Sequence, residues 1–530
     1  MYFSISKKSL FILLILLFFS IGLRGYFASK LPLSGDEVGV GVLQSTGHAL
    51  SYHVPSTNTP VSELKKFIDY SPDKGIGDIL SSLRHGGMHP PFYYILLNTV
   101  IKYLNNDAMT LRSLSLVFSV ISIALIFFLG RTIHGEQLGL LSAFFLTISP
   151  YCLQYSIMVR PYPLLMVLAL SSSLLIYQLV NNDKFHFYDL GCHVYILIST
   201  IGLYTMYHYI FVIFFQAVFA TLSLPKNIKR LVLTGLIYLS IGVLFVPWLP
   251  FMKDQMDIID SGTFYFHWQN NPIMIFVEMV RYNFFRFLLN ARPFKLIILL
   301  LVLLVLFIGC KHLLLNKKSR FFLIALISYV AAHLFGDWVM QAGTLSFHKF
   351  QFFITPVFLF ILAFGLVNLP DRYFIKSGLV VFLSVLLICS SISILQEKKN
   401  FDGPEIITLY NAKISESLKS DQSSALLIMN TSARRYVLPV VHFFNQPIDI
   451  VVANYGDASK LAGNIKHIDQ YDHVFVGNLS VDYEPHPQFS LMDMELIENF
   501  LGQKQFIYAN LLVDNPDGAL IQFNKKRANL

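Results

Sequence analysis

The sequence predicts a polytopic α-helical membrane protein of about eleven transmembrane helices, with a smaller α/β domain at its C-terminal end. Three observations predict it. Hydrophobic residues make up 55% of the 530 positions, 48 being Phe, and mean hydropathy is +0.57, which is far too apolar for a soluble chain of this length. Apolar runs recur at or near the roughly 18 to 20 residues that carry a helix across hydrocarbon. Finally, Lys and Arg gather in every second loop, the distribution that orients membrane helices with their basic loops in the cytoplasm.

The first element has Lys7 and Lys8 ahead of an apolar run from Ser9 to Leu23. Charge and length match the first two regions of a signal peptide, but no small-residue cleavage site follows, so the run is read as a retained helix. The helices are predicted at 9–24, 112–130, 137–151, 161–180, 189–206, 208–225, 231–250, 295–311, 321–338, 350–369 and 376–395. Lys7/Lys8, Arg131, Lys184, Lys226/Lys229/Arg230, Lys311/Lys317/Lys318/Arg320 and Arg372/Lys376 then fall on the cytoplasmic side. An odd number of helices leaves the C-terminus outside.

Residues 1–396 are accordingly expected to form the transmembrane domain, and 397–530 an extracytoplasmic soluble domain. Two further segments are expected outside, the loops 25–111 and 251–293. Within the first, the apolar stretch 91–104 is short for a crossing and is predicted as a juxtamembrane helix at the interface. In the tail, short apolar runs at Ala425–Met429, Ile448–Val452, His473–Val476, Phe506–Val513 and Leu520–Phe523 alternate with helical stretches at Tyr436–Phe444 and Met492–Leu501, an α/β pattern.

Composition excludes several classes. The net charge of +8 is scattered through short loops rather than gathered into one patch, so no nucleic-acid partner is expected. Cys152, Cys192, Cys310 and Cys389 show neither a disulfide framework nor a CxxC metal pattern.

Residues able to carry chemistry sit beside predicted helix ends. Asp36-Glu37 follows the first helix, and His89-Pro90-Pro91-Phe92-Tyr93-Tyr94 opens the juxtamembrane helix. Arg112 precedes the second helix, and Tyr155-Ser156 through Arg160-Pro161-Tyr162 precedes the fourth. Each has a plain alternative: solvated loop carboxylates, a proline-fixed helix entry, or arginines that snorkel at helix ends. Cations on the side that the positive-inside rule does not favour raise the functional reading. The loop containing Asp254, Asp257, Asp260, Phe264 to Trp268, Arg281 and Arg286 suits a sugar or an interfacial anchor equally.

In this order the motifs resemble those of the GT-C membrane glycosyltransferases, in the branch of protein O-mannosyltransferases, lipid A aminoarabinose transferases and lipopolysaccharide-core galacturonosyltransferases. Such members have an external Asp-Glu, a His-Pro-Pro-Leu-Tyr-Tyr-like segment, an Arg-Leu-Pro-Ser-like helix start and a Tyr-Ser-x-x-x-Arg-x-Tyr-like motif. Here these read Asp36-Glu37, His89 to Tyr94, Arg112-Ser113-Leu114 and Tyr155 to Tyr162. The resemblance is specific over roughly the first 200 residues and architectural beyond them. Two positions depart from the pattern: Met158 stands where relatives often carry an acid, and Lys349-Phe350 where the family often shows Arg-Tyr. Lysine keeps the charge but not a two-pronged grip on phosphate.

The resemblance implies an inverting transferase that moves a sugar from a polyprenyl phosphate, undecaprenyl phosphate in a bacterium, to a hydroxyl of lipid A, a glycan or a protein. A general base suits a carboxylate, which points to Asp36, with Glu37 orienting it or the backbone. An anionic leaving group needs positive charge, which points to Arg112, Arg160 and Lys349, with His89 as a further donor. Tyr94, Tyr162 and His208 are candidate pocket residues. No ligand spacing demands a metal, but some relatives bind a divalent ion near the carboxylates, so a divalent metal stays open and no cofactor is assigned. The expected location is a bacterial inner membrane, with the N-terminus cytoplasmic and the C-terminal domain periplasmic or extracellular. Three other readings remain open: a flippase or transporter of polyprenyl-linked glycans, an oligosaccharide polymerase or ligase using a lipid diphosphate, and a noncatalytic membrane scaffold.

Overall fold

The computed structural model describes residues 5–31, 33–48, 57–86, 89–181, 189–223, 228–258, 295–315, 319–340, 352, 354–369, 373–396, 404–418, 424–430, 448–453, 465, 467–478, 499–515 and 518–526. The chain forms two compact units, Met1–Lys30, Met88–Leu96 and Met109–Glu397 in one, and Leu31–Gly87, Leu97–Ala108 and Lys398–Leu530 in the other.

The first unit is helical, and each of the eleven predicted segments contains a helix. Among the described residues, six helices are by length and composition able to cross a membrane unaided: Lys7–Lys30, Ala108–His134, Tyr162–Val180, Ile228–Asp257, Ile297–Leu315 and Lys376–Ser393. A seventh crossing is available if the bent pair Glu136–Ile148 and Pro150–Ser156 counts as one span. Leu190–Thr205, Tyr209–Ser223, Arg320–Gly336 and Thr355–Val367 are apolar but shorter, so length alone supports fewer than the eleven crossings expected. The first helix also runs further than predicted, to Lys30, which moves Arg24 from a helix end into a helix body.

The bend, 64° at Ser149, has a local cause. Pro150 has no N–H to continue the helix, and a residue before proline is pushed out of the α region. Ser149 adopts φ −63°, ψ 123° and starts a new helix, its hydroxyl accepting from the Cys152 N–H at 3.5 Å, as serine does at an N-cap. The predicted helix 137–151 is therefore two.

One cluster of polar groups inside this unit is hydrogen-bonded across helices, the arrangement favoured in a medium without water. Gln216 donates to Ser172 Oγ (2.9 Å) and Ser173 Oγ (3.1 Å) and accepts from the Tyr195 hydroxyl (2.8 Å), while Tyr209 donates to Ser172 (2.7 Å). Elsewhere backbones approach closely through glycine. A Cβ on Gly365 would lie 2.2 Å from the Val305 carbonyl, and one on Gly309 2.4 Å from the Ile361 carbonyl, so Lys295–Leu315 and Thr355–Val367 pack with almost nothing between them. Gly365→Val should force this pair apart and destabilise the protein by about 1–3 kcal/mol. A thermal unfolding midpoint equal to wild type, measured in detergent by size-exclusion chromatography after heating, would contradict so close a contact.

Among the described residues, the second unit holds a sheet of six strands ordered β1-β3-β2-β4-β6-β5. Its strands are β1 (Thr59–Pro60), β2 (Ala425–Asn430), β3 (Ile448–Ala453), β4 (His473–Asn478), β5 (Phe506–Asn515) and β6 (Gly518–Lys525). All five tail runs predicted as strands are strands. The helical stretch predicted at Tyr436–Phe444 lies outside the described residues, as does most of Met492–Leu501, of which 499–501 are helical. β2 pairs in parallel with β3 and β4, and β6 returns antiparallel between β4 and β5. Leu426, Ile428, Val451, Val474, Val476 and Phe523 pack into one buried cluster, the alternate-residue pattern of a sheet face.

β1 comes from the loop after the first helix. Thr59 pairs with Ile450 and Pro60 with Asp449, placing proline on an edge strand, where its missing N–H is harmless. Asn58 Nδ2 donates to the Tyr471 hydroxyl at 2.6 Å, and that hydroxyl donates to Asp449. The sequence assigned residues 31–87 to the membrane domain by order along the chain; in the structure they share a compact unit with the tail.

His48, in the same unit, lies edge-on to Phe67 (5.0 Å between centroids) with Nδ1 3.2 Å from Thr46 Oγ1. Burial, and then the nearby Lys74, lower its pKa from the ordinary 6.5. The unfolded chain therefore binds this proton more readily than the folded one, so stability is full above pH 6.5 and falls as pH drops toward the lower folded value. In a pH series of unfolding midpoints, His48→Asn should remove part of that loss, and parallel curves for variant and wild type would exclude it.

Candidate active site

Asp36 and Glu37 belong to the second unit, on a seven-residue π-helix Asp36–Val42 that continues into Leu43–Ser45. π-turns are rare and concentrate at functional sites. Glu37 is fully buried and spends its carboxylate on the backbone: Oε2 accepts the Ser34 N–H at 2.7 Å, and Ser34 Oγ accepts the Glu37 N–H at 3.2 Å. This is the reciprocal Ser-x-x-Glu capping box. Asp36, at 8% exposure, occupies the adjacent position of the turn so fixed. Farther along, Gln44 donates to the Gly86 carbonyl (3.0 Å), Ser82 to the Gln44 carbonyl (3.1 Å) and Asn98 to the Ser45 carbonyl (2.8 Å). The carboxylate-bearing turn is thus held at both ends.

The first unit gathers His89, Arg160 and a set of aromatic rings. Between Pro150–Ser156 and Tyr162–Val180 the chain is irregular over 157–161 and wholly buried, a state allowed in a membrane unit only where other protein groups take up the backbone. The Met158 carbonyl accepts both the Arg160 N–H (2.8 Å) and Ser115 Oγ (2.5 Å). Where relatives often place an acid, this chain puts a buried Met side chain and uses its carbonyl to fold the link.

Arg160, 3% exposed, lies 3.1 Å from His89 Nε2 through one terminal nitrogen. Guanidinium nitrogens only donate, so Nε2 accepts and the imidazole carries its proton on Nδ1. Tyr162 lies under the guanidinium at 5.8 Å, a cation–π distance. Tyr155 packs edge-on to Tyr162 (5.2 Å), Tyr151 to Tyr155 (4.9 Å), and Phe352 touches all three. The Tyr94 ring is 5.8 Å from His89. A buried guanidinium walled by rings is suited to a charge-assisted grip on an oxyanion, because low local polarity strengthens the attraction.

The other predicted residues fare differently. Arg112, 1% exposed, donates to the Ala28 carbonyl in the last turn of the first helix at 2.9 Å, so it braces that helix end whatever else it does. His208 is half-buried against Phe211. Its neighbour Tyr207 is linked to His89 through a hydrogen-bond chain: Trp248 Nε1 donates to the Tyr207 hydroxyl (2.8 Å), that hydroxyl to Gln255 Oε1 (2.6 Å), and Gln255 Nε2 to the His89 carbonyl (3.2 Å). Nothing in the spacing of Tyr207, Trp248 and Gln255 announced this. Lys349 and loop residues 259–294 lie outside the described residues. Among the described residues, no group of three or more His, Cys, Asp or Glu could hold a metal ion.

Residues 88–252 match the model of the family described as dolichyl-phosphate-mannose-protein mannosyltransferase. This span contains His89, Arg112, Arg160, Tyr162 and Tyr207; Asp36 and Glu37 precede it. The fold is similar to that of ArnT from Cupriavidus metallidurans in the apo state, with TM-score 0.56 at 9% identity, over 96% of this chain and 97% of that one. It is also similar to the same protein bound to undecaprenyl phosphate, with TM-score 0.53 at 9% identity, over 97% of each chain. At such identity the likeness is one of fold. No curated protein matches the sequence.

Proposed function

We propose that this chain, which matches the mannosyltransferase family model over residues 88–252 and is similar in fold to ArnT, is a GT-C glycosyltransferase that moves a sugar from a polyprenyl-phosphate donor to an acceptor hydroxyl, inverting the anomeric carbon. The observation that carries the reading is the buried Arg160–His89 pair, ringed by Tyr155, Tyr162 and Tyr94 and inside the span that matches the mannosyltransferase family. An isoprenoid donor lives in the bilayer, which accounts for a membrane-embedded catalyst.

In a single displacement the acceptor oxygen bonds to the anomeric carbon, the bond from that carbon to the phosphate oxygen breaks, and the hydroxyl proton goes to a base. Asp36 is that base, with Glu37 fixing the turn that holds it. The departing polyprenyl phosphate carries away the electron pair, and its growing charge is met by Arg160. His89, with Nε2 engaged by Arg160, offers its Nδ1 proton as a neutral donor. The acceptor is a hydroxyl of a lipid, a glycan or a protein, reached on the noncytoplasmic side of a bacterial inner membrane.

The test is transfer from a panel of labelled undecaprenyl-phosphate sugars by the full-length protein in native membranes. Label appearing in a second molecule is the expected result and exposes the acceptor. Label that stays on its carrier across the panel, or crosses the bilayer still attached to it, would replace this reading with transport.

A further inference from the structure

We infer that Arg24 is a positioning residue for Arg160: its guanidinium closes the helix break at Ser149-Pro150 and so sets the course of the segment Tyr151 to Arg160. The inference rests on the assignment of Arg160 to the donor phosphate.

Arg24 is 1% exposed inside the first helix, in its C-terminal third, an expensive place for a cation in an apolar unit. Among the described residues no carboxylate pairs with it. Its partners are Ser20 Oγ at 2.7 Å and the carbonyls of Thr147 (3.2 Å) and Leu146 (3.3 Å). These are the carbonyls that the break deprives of their normal donors. The Ser149 N–H still bonds the Phe145 carbonyl at 2.9 Å, but the next donor in register would be the N–H that Pro150 lacks. Beyond it, the Cys152 N–H goes to Ser149 Oγ rather than to the Ile148 carbonyl, and the next helix opens with the Leu153 N–H on the Ser149 carbonyl at 2.8 Å. The last carbonyl, that of Ile148, accepts Ser391 Oγ at 2.9 Å. Each exposed carbonyl of the break therefore has a side-chain donor, and one planar fork supplies two of them. A cation there also complements the negative end of the helix Glu136–Ile148.

The direction fixed at Ser149 is inherited by everything up to Arg160. Pro150–Ser156 carries Tyr151 and Tyr155 against Phe352 and Tyr162, and the link after it delivers Arg160 to His89. Without the fork, the two carbonyls would recover donors by straightening or twisting the break, and Arg160 would shift with it. Lysine keeps the charge but cannot span both carbonyls with a planar pair of N–H groups.

Full-length protein in lipid nanodiscs provides the test, with undecaprenyl phosphate as the probe. Dissociation constants are measured for wild type, Arg24→Met, Arg160→Met and the double variant, each alongside its unfolding midpoint. Arg24→Met should weaken binding by about tenfold or more, the scale of an ångström misplacement. In the double variant, binding should match Arg160→Met alone to within about twofold, because Arg24 acts only through Arg160. Losses that multiply would make Arg24 a general support and overturn the inference, as would an unchanged constant for Arg24→Met. If Arg24→Met does not fold, Arg24→Lys serves instead, and wild-type binding by that variant overturns the inference too. Should Arg160→Met bind the probe as wild type does, the donor-phosphate reading itself fails, whatever Arg24 does.

Discussion

Asp36→Asn should lower sugar transfer by about 10²–10⁴-fold, the range supplied by a positioned general base, without changing membrane insertion or the unfolding midpoint. The amide keeps the volume of the carboxylate and fits the same turn, but it cannot take up the acceptor proton. The neighbouring Glu37 makes the control. Glu37→Gln trades a charged partner of the Ser34 N–H for a neutral one, so it weakens the capping box and should reduce stability and activity together. Activity loss without stability loss at Asp36, against coupled losses at Glu37, is the pattern of a base beside a structural carboxylate. The measurement is initial transfer rate in proteoliposomes at matched protein, together with thermal midpoints. Normal turnover by Asp36→Asn would take the proton-acceptor role away from this residue.

Arg160→Met should raise the donor KM or dissociation constant by roughly 10–150-fold, the equivalent of the 1.5–3 kcal/mol that a hydrogen bond to a charged group contributes. A fall in kcat should accompany it, because the charge on the leaving phosphate grows as the bond breaks and the interaction strengthens in the transition state. Arg160→Lys should recover part of the affinity and little of the rate, since a point charge replaces a planar fork that also covers the Tyr162 ring. Titrating the donor in single-turnover reactions separates the two effects. Equal loss for donor and acceptor binding, with kcat intact, would mean that Arg160 only supports the fold.

A quieter dependence concerns Gln255, which holds the His89 carbonyl and is held by Tyr207. Gln255→Leu leaves that carbonyl without this donor. It should cost donor affinity a few-fold, in line with the roughly 1 kcal/mol of a neutral hydrogen bond. Wild-type affinity in this variant would show that the turn at His89 is fixed by Pro90 and Pro91 alone.

Hydropathy located the apolar helices of the first unit, because a chain without water around it must close its backbone hydrogen bonds locally, and an apolar run of sufficient length has few other options. Alternating apolar residues located the tail strands β2 to β6 for a similar reason, since one sheet face must be buried. The pairs Asp36-Glu37, His89-Pro90 and Arg160-Pro161 were legible as candidates because charged or proline-rich residues at helix ends are uncommon enough to stand out. Even the break at Ser149-Pro150 was written locally, in a helix-starting serine followed by a residue without an N–H, although apolar periodicity ran across it and concealed it.

The tertiary structure decided which groups meet. Arg24 looked like the end of a helix until the carbonyls of Leu146 and Thr147 arrived beside it. Tyr207, next to His208, is tied to His89 through Gln255, and Thr59-Pro60 extends a sheet whose other strands lie far along the chain. Local sequence fixes where a backbone can bend and which faces are apolar, since those depend on neighbouring residues only. Which orphaned carbonyl finds which donor depends on side chains brought together by packing, and no spacing along the chain encodes that meeting.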